Sequence, residues 1–126
     1  MKSLLLVAHG SRRAESNDEV RQLACRLEQD MDGEFSQVAA AFLELAEPSI
    51  PDGLRAAIRA GASEVVVLPY FLSAGRHVAT DIPGEVNIVR AESPEVQITL
   101  APYLGAAPGV AGLLSELASG ATSGGD

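Results

Sequence analysis

The chain contains two histidines, and each lies shortly after an apolar run and close to arginine. His9 ends the segment LLLVAH and is followed by Arg12 and Arg13. His77 comes soon after the run VVVLPYF, with Arg76 directly before it. Because free imidazole titrates near a pH of about 6.5, histidine can bind a metal ion as a neutral ligand or accept a proton near neutral pH. Two such rings in one cleft would therefore hold a divalent metal ion.

Carboxylates follow another apolar run, in the segment FLELAEP, as Glu44 and Glu47. Two neutral imidazoles and one carboxylate suit Zn²⁺, Co²⁺, Ni²⁺ or Fe²⁺ and leave coordination positions open. Position alone favours a surface carboxylate or a helix cap for Glu44. Glu47, which directly precedes Pro48, is better explained than Glu44 as a structural residue. These residues alone allow a structural metal site, a hydrolytic metal site or a site that donates its metal ion. A histidine phosphatase is disfavoured, because its motif places arginine directly before the histidine, where this chain has Ala8.

Four short and nearly continuous apolar runs predict the strands that position these groups. Runs of this kind are typical of a parallel sheet that is covered on both faces. The run EVVVLPYF is the clearest, since it has three consecutive β-branched valines. The predicted strands span residues 3–9, 37–43, 64–71 and 97–104.

Segments with apolar residues at helical spacing lie between the predicted strands and after the last one, and they predict four helices. Ser16 and Glu19 form a capping box at the start of the first predicted helix. Ser49 and Pro51 begin the second helix, and the third has its firm start near Asp81, because proline at position 83 is tolerated only in a first turn. The apolar positions of the first, second and fourth helices are Val20, Leu23 and Leu27, then Ile50, Leu54, Ala57 and Ile58, then Val110, Leu113, Leu114 and Leu117.

Strand and helix alternate four times, which predicts a doubly wound α/β fold: a four-stranded, mainly parallel sheet flanked by helices in three layers. We expect one domain over residues 1–118 and a disordered tail over 119–126, whose residues are small or polar. In such sheets ligands bind outside the carboxyl ends of the strands. His9, Glu44 and His77 all follow strand ends, so we expect them to converge.

Composition excludes several classes of protein. The 126 residues fit one domain, and a formal charge of −8 argues against nucleic-acid binding, which usually needs a basic face. One cysteine cannot form an internal disulfide. The apolar run before His9 is too short for a signal-peptide core or a membrane span. We therefore expect a cytoplasmic protein with no membrane partner.

Three segments, LLLVAHGSRR, FLELAEPSI and VVVLPYFLSAGRHVATDIP, occur in an order and at a spacing that resemble the short form of the sirohydrochlorin chelatase family. The resemblance extends to about residue 104. It implies insertion of a divalent metal, typically Co²⁺, into the macrocycle sirohydrochlorin in cobalamin biosynthesis, without ATP and without a further cofactor. The related ferrochelatases insert Fe²⁺ to make sirohaem with the same residues, and Ni²⁺ is a third candidate. A carrier that binds metal or tetrapyrrole without turnover is the non-enzymatic alternative.

The resemblance also implies roles for individual residues. The metal-binding histidines of the family fall on His9 and His77, and its helper glutamate falls on Glu44. Longer members carry two such domains and enclose the substrate between them, so this single domain is expected to form a homodimer. As a hypothesis, the substrate carboxylates pair with arginines, and a hydroxyl and aromatic side chains line the cleft. These substrate-binding candidates are Arg12, Arg13, Arg76, Ser11, Tyr70, Phe71 and Tyr103.

Overall fold

The computed structural model describes residues 1–123, and a four-stranded sheet forms its centre. The strands are β1 (Lys2–Ala8), β2 (Gln37–Phe42), β3 (Glu64–Pro69) and β4 (Gln97–Leu100). They lie in the order β2-β1-β3-β4, and every neighbouring pair is parallel. The predicted doubly wound α/β fold with a parallel sheet is confirmed.

The chain order creates a switch point in the middle of the sheet. From β1 the chain crosses to β2 on one side, whereas from β3 it crosses to β4 on the other. β1 and β3 are neighbours in the sheet. The crevice between their carboxyl ends is therefore where a ligand is expected in an open α/β sheet.

Four α-helices follow the strands: α1 (Ala14–Asp30), α2 (Ile50–Arg59), α3 (Ile82–Glu92) and α4 (Gly109–Ser123). A π-helical turn (His77–Asp81) precedes α3, and a 3₁₀ turn (Leu104–Ala106) precedes α4. Ser49 caps α2 as predicted, since its hydroxyl accepts a hydrogen bond from the Asp52 N–H at 3.2 Å. Pro83 lies in the first turn of α3, also as predicted.

The predicted capping box at Ser16 is wrong. Helix α1 begins two residues earlier, at Ala14, and Arg13 occupies its N-cap position without a side-chain cap. The Arg13 carbonyl accepts the Ser16 N–H at 3.1 Å, so the first helical turn has already formed before Ser16. Ser16 therefore lies inside the first turn.

Alternate residues of β1 point into two separate cores. Leu5 and Val7 pack under α2 and α3, whereas Leu4 and Leu6 pack under α1. All four are nearly inaccessible to solvent, which explains why the strand is a continuous apolar run. The core under α2 and α3 is the larger one, and its fully buried members include Ile50, Leu54, Val65, Val67, Ile82, Val86 and Val89.

Helix α4 corrects the prediction for the end of the chain. It continues to Ser123, so the disorder predicted for residues 119–123 is wrong, and residues 124–126 lie outside the described residues. No helix among residues 1–123 is long and apolar enough to cross a membrane.

Candidate active site

Backbone pairing beyond the strand ends places His9 beside Glu44. The Leu43 N–H donates to the Ala8 carbonyl at 2.9 Å, and the Glu44 N–H donates to the His9 carbonyl at 3.0 Å. The parallel register of β1 and β2 is thus carried one step past both strands. As a result the His9 Nε2 atom lies 2.9 Å from the Glu44 Oε2 atom.

Gly10 is required for this close approach of the two loops. Its φ of +96° lies in the left-handed region, and a Cβ atom there would stand 1.7 Å from the Glu44 carbonyl oxygen. A side chain at this position meets a fixed backbone atom, so the clash has no local relief. Glycine next to His9 is therefore a condition of the site geometry.

Asn17 holds the rest of the β1 loop, which we define as residues 9–13. Its side chain is buried; Oδ1 accepts the Ser11 N–H at 2.9 Å, and Nδ2 donates to the Ser11 carbonyl at 2.8 Å. The Ser11 hydroxyl in turn accepts the Arg13 N–H at 3.0 Å. Sequence reasoning missed Asn17, although its helical spacing from Val20 and Ala24 marked a polar residue on a buried face.

His77 is held by its backbone, whose carbonyl accepts the Ile82 N–H, and also by a side chain. It opens the π-helical turn, and its Nδ1 atom lies 2.8 Å from Asp81 Oδ2 at the end of that turn. Asp81 was also missed as a site residue. Its position four residues after His77 indicates that the two side chains lie together on one helical turn. A carboxylate on the distal nitrogen fixes the ring orientation and makes the other nitrogen a better ligand.

The two imidazole rings meet at the switch point. Their centroids are 4.8 Å apart and their planes are inclined at 64°. The His9 Nδ1 atom contacts the Gly10 carbonyl at 3.0 Å, and carbonyls and carboxylates only accept hydrogen bonds. The hydrogen bonds thus assign the Nδ1 proton in both rings. The Nε2 atom of His77 is left as a ligand or proton-accepting position, whereas the Nε2 atom of His9 contacts Glu44.

The contact between His9 and Glu44 needs a proton. Because Nδ1 of His9 already carries one, its Nε2 atom bonds to the Glu44 carboxyl only if either the imidazole or the carboxyl is protonated. The side chains are 41% and 53% exposed, so water reaches the pair. Within residues 1–123, no group of three or more histidine, cysteine, aspartate or glutamate side chains is arranged to hold a metal ion. The predicted ligands His9, His77 and Glu44 lie together without forming a ready-made three-ligand site.

The arginines proposed for substrate binding all lie exposed at this edge. Arg13 is 3.6 Å from Glu15 in a fully solvated pair. Arg12 and Arg76 have no hydrogen bond or ion pair within the described part of the chain. Two guanidiniums next to the histidines are therefore free to bind an anionic group.

The three aromatic candidates have different surroundings. Tyr70 and Phe71 line a cavity of about 280 Å³ with Leu72 and Leu104, but Phe71 also packs against the core under α2 and α3, and Tyr70 faces a groove beside α1. Tyr103 is half-buried and directly precedes the 3₁₀ turn.

The loops at the carboxyl ends of the strands also expose two leucines that sequence reasoning did not single out. Leu45 is 53% exposed and Leu72 is 73% exposed. Leu45 has a φ of +66°, which is uncommon for a residue with a side chain. Leu45 directly follows Glu44, and Leu72 lines the cavity with Tyr70 and Phe71.

The fold resembles those of solved chelatase structures. A cobalamin (vitamin B12) biosynthesis CbiX protein from Marinobacter aquaeolei superposes with a TM-score of 0.81 at 29% identity, over 98% of both chains. The sirohydrochlorin chelatase SirB from Bacillus subtilis, solved in complex with cobalt, superposes with a TM-score of 0.79 at 28% identity. That match covers 94% of this chain and 50% of the SirB chain.

Relatives carry the names of two activities. The sirohydrochlorin cobaltochelatase of Sulfolobus acidocaldarius is 32% identical over 98% of this chain and 94% of its own length. The sirohydrochlorin ferrochelatase of Priestia megaterium is 32% identical over 92% of this chain but only 43% of its own length. The chain likewise spans 57% of the Methanopyrus kandleri cobaltochelatase. The family model described as CbiX matches residues 3–121, and the chain therefore belongs to the CbiX family.

Proposed function

We propose that this chain is a sirohydrochlorin cobaltochelatase, which inserts Co²⁺ into sirohydrochlorin without ATP in cobalamin biosynthesis. The observation that carries the proposal is the pair of imidazole rings 4.8 Å apart, each anchored through Nδ1. Family membership supports it further, since relatives over most of this chain are named for this activity. The metal ion is a substrate here, together with the macrocycle.

Insertion needs a site that binds the metal ion and then releases it. The Nε2 atoms of His9 and His77 would replace water on the incoming ion, and binding would displace the proton shared by His9 and Glu44. Two imidazoles with open coordination positions hold a divalent ion less tightly than a closed set of four ligands. That suits a metal that must pass into the macrocycle.

Insertion also releases two protons from the pyrrole nitrogens for each metal ion that enters. Once the ion has left, the His9 Nε2 atom is again a proton acceptor. Glu44, 2.9 Å away and 53% exposed, would pass such a proton to water. The same group of side chains at the sheet edge would thus bind the metal ion and accept the released protons.

Sirohydrochlorin carries many carboxylates, whereas this protein has a net charge of −8. Arg12 and Arg76 have no partner within residues 1–123, and guanidinium pairs well with carboxylate in a two-point geometry. We therefore assign substrate carboxylates to these two arginines. Arg13 is a weaker candidate because it already pairs with Glu15.

We also propose that the active form is a homodimer, in which a second copy covers the carboxyl edge of the sheet. That edge is open to solvent at His9 and Glu44. The expected cytoplasmic location stays a prediction.

Metal insertion is tested by incubating the purified protein with sirohydrochlorin and Co²⁺, Fe²⁺ or Ni²⁺ in turn, followed by absorption spectroscopy. We expect turnover well beyond one equivalent of product, fastest with Co²⁺. Fastest insertion of Fe²⁺ would instead assign the ferrochelatase activity for which other relatives are named. Product that stops at one equivalent would identify a carrier, and no spectral change with any metal would contradict the proposal.

A further inference from the structure

The loop that carries Glu44 is closed at both ends by backbone hydrogen bonds. We define this β2 loop as residues 43–48. Near its start the Glu44 N–H donates to the His9 carbonyl at 3.0 Å. At its end the Pro48 carbonyl accepts the Phe42 N–H at 2.9 Å. The three residues between Glu44 and Pro48 are therefore the part of the loop that neither strand end fixes.

These three residues are held by helix α1. Leu45 has a φ of +66°, a conformation that costs free energy and persists only when its surroundings hold it. Leu45 and Ala46 make no hydrogen bond within the described part of the chain, although Ala46 packs on the core under α1. The Glu47 carbonyl accepts a hydrogen bond from the Arg21 guanidinium at 2.9 Å. Among residues 1–123, Arg21 thus supplies the only hydrogen bond to this stretch.

The guanidinium of Arg21 is itself fixed on two further sides. Its second terminal nitrogen donates to the Asp18 Oδ1 atom at 2.8 Å, and its Cζ atom lies 5.0 Å from the centroid of the Phe42 ring. Phe42 is fully buried and ends β2. A carboxylate and an aromatic face both attract a guanidinium. Arg21 therefore contacts the loop from a defined position.

The same face of α1 also holds the loop that carries His9. Asn17 and Arg21 are four residues apart, so they lie one turn apart on one helix face. Asn17 bonds to both backbone groups of Ser11 in the β1 loop, whereas Arg21 bonds to the β2 loop. Helix α1 is thus a common frame for the two loops that place His9 beside Glu44.

We propose that Arg21 is a positioning residue for metal insertion, which holds the β2 loop so that the Glu44 carboxyl stays beside His9 Nε2. This role rests on the proposed function, in which Glu44 passes a pyrrole proton from His9 to water. The two side chains are 2.9 Å apart but 41% and 53% exposed, so their loops must hold them together. Without Arg21 the β2 loop loses its outer support, and Glu44 spends less time within hydrogen-bond distance of His9.

Arg21 differs from the arginines assigned to the substrate. Both of its terminal nitrogens already have partners in the protein, whereas Arg12 and Arg76 have none within residues 1–123. Loss of Arg21 should therefore slow the proton-transfer step and leave the binding of sirohydrochlorin unchanged. In kinetic measurements this lowers kcat without a change in KM.

The first test is steady-state kinetics with Co²⁺ and sirohydrochlorin. Arg21→Met keeps the aliphatic stem without its donors, and kcat should fall about tenfold, a part of the ~100-fold or more that a positioned proton acceptor contributes. Arg21→Lys retains a donor and should recover part of the loss. The matched control is Arg59→Met, since Arg59 is exposed in the last turn of α2, and it should keep the parental kcat. An unchanged kcat in Arg21→Met, or a raised KM alone, overturns the proposal.

A second variant leaves Arg21 in place and removes only the carboxylate that orients it. Asp18 is exposed on α1, so Asp18→Ala should remain folded, which thermal unfolding checks. We expect a smaller fall in kcat than in Arg21→Met, again with KM unchanged. A larger fall in kcat than in Arg21→Met would contradict a role of Asp18 through Arg21.

The last test observes the imidazoles directly, by NMR of ¹⁵N-histidine-labelled protein without metal or macrocycle. Glu44→Ala provides the Nε2 resonance of His9 without its partner. In Arg21→Met the His9 Nε2 resonance should move from the parental position towards that reference, while the His77 resonances stay in place. An unchanged His9 resonance, or a His77 shift as large as that of His9, overturns the proposal.

The NMR test separates this role from the activity itself. If the parent protein inserts no metal, the proposed activity is contradicted, and the His9 resonance still shows whether Arg21 positions Glu44. If the parent inserts metal while the His9 resonance in Arg21→Met stays parental, the activity stands and the role of Arg21 is overturned.

Discussion

The two histidines at the carboxyl edge of the sheet are held in different ways. The β1 loop is braced by the backbone: the Glu44 N–H bonds to the His9 carbonyl, Gly10 packs on the Glu44 carbonyl, and buried Asn17 makes two hydrogen bonds to Ser11. The β3 loop, which we define as residues 70–76, is exposed over residues 72–76. After it, the His77 carbonyl accepts the Ile82 N–H, and the His77 ring has one side-chain hydrogen bond, with Asp81.

The β3 loop also has backbone contacts at its start, because the Phe71 carbonyl accepts the Gly105 N–H at 2.9 Å and the Leu72 carbonyl packs on Gly105. The two loops therefore differ in how the histidine ring is oriented. Beside His9 a backbone carbonyl contacts Nδ1, whereas His77 uses the carboxylate of Asp81.

The largest effect is expected when the brace of the β1 loop is broken. Gly10→Ala would place a Cβ atom 1.7 Å from the Glu44 carbonyl oxygen at a φ of +96°, and it should destabilise the protein by about 2 kcal/mol or more. Urea unfolding followed by circular dichroism measures this. Gly75→Ala in the β3 loop is the matched control: a Cβ atom there meets nothing within 4 Å, so a change within about 0.5 kcal/mol is expected. Equal losses in both variants would contradict the comparison.

Removal of the side-chain anchor of the His77 ring should weaken metal binding more than folding. Asp81→Ala is expected to reduce Co²⁺ affinity about 10–100-fold, while Asp81→Asn, which keeps a side-chain oxygen, should lose less. Calorimetric titration with Co²⁺ measures the affinity, and thermal unfolding checks the fold. Thr80→Ala is the control, since that neighbouring residue is exposed in the same turn. Unchanged Co²⁺ affinity in Asp81→Ala would contradict this role of Asp81 in metal binding.

Each loop contributes one unpaired arginine, and the two should act alike. Arg12→Gln and Arg76→Gln are each expected to raise KM for sirohydrochlorin about tenfold, the loss of one charge-assisted contact, with Co²⁺ affinity unchanged. Arg59→Gln in the last turn of α2 is the control and should leave KM unaltered. If metal affinity fell as much as substrate affinity, the two arginines would not be substrate ligands.

A smaller effect is expected outside both loops, at the ion pair that joins α2 to α3. Arg55 donates to both carboxylate oxygens of Glu92, at 2.9 and 2.6 Å, and this lowers the pKa of Glu92 below its ordinary value near 4.5. Because the pKa is lower in the folded state, the stabilisation is present above pH 4.5 and is lost as the pH falls through the folded value.

Glu92→Gln should therefore lower Tm by only about a few degrees at pH 7, since exposed ion pairs contribute little. The difference from the parent should shrink in more acidic buffer. Exposed Glu95 provides the control Glu95→Gln, for which no such pH-dependent difference is expected. A Glu92→Gln difference that grew on acidification would have the wrong sign for this ion pair.

Much of this molecule was predictable from local patterns. Continuous apolar runs identified the four strands, and parallel strands share a carboxyl edge, so the meeting of His9 with His77 followed from the topology. The structure adds what local patterns do not encode. Asn17 and Asp81 act through partners whose positions depend on loop conformation, and the Ser11–Asn17 bonds accompany a start of α1 two residues before the predicted capping box.

The most direct test of the account is to count the imidazoles bound to Co²⁺. X-ray absorption spectroscopy of the Co²⁺-loaded protein, before macrocycle is added, should show two imidazoles in the parent and one in each of His9→Ala and His77→Ala. Both variants should keep the parental circular dichroism spectrum and lose most metal insertion. The same imidazole count in all three proteins, or insertion at the parental rate by either variant, would contradict the central claim that both rings hold the substrate metal.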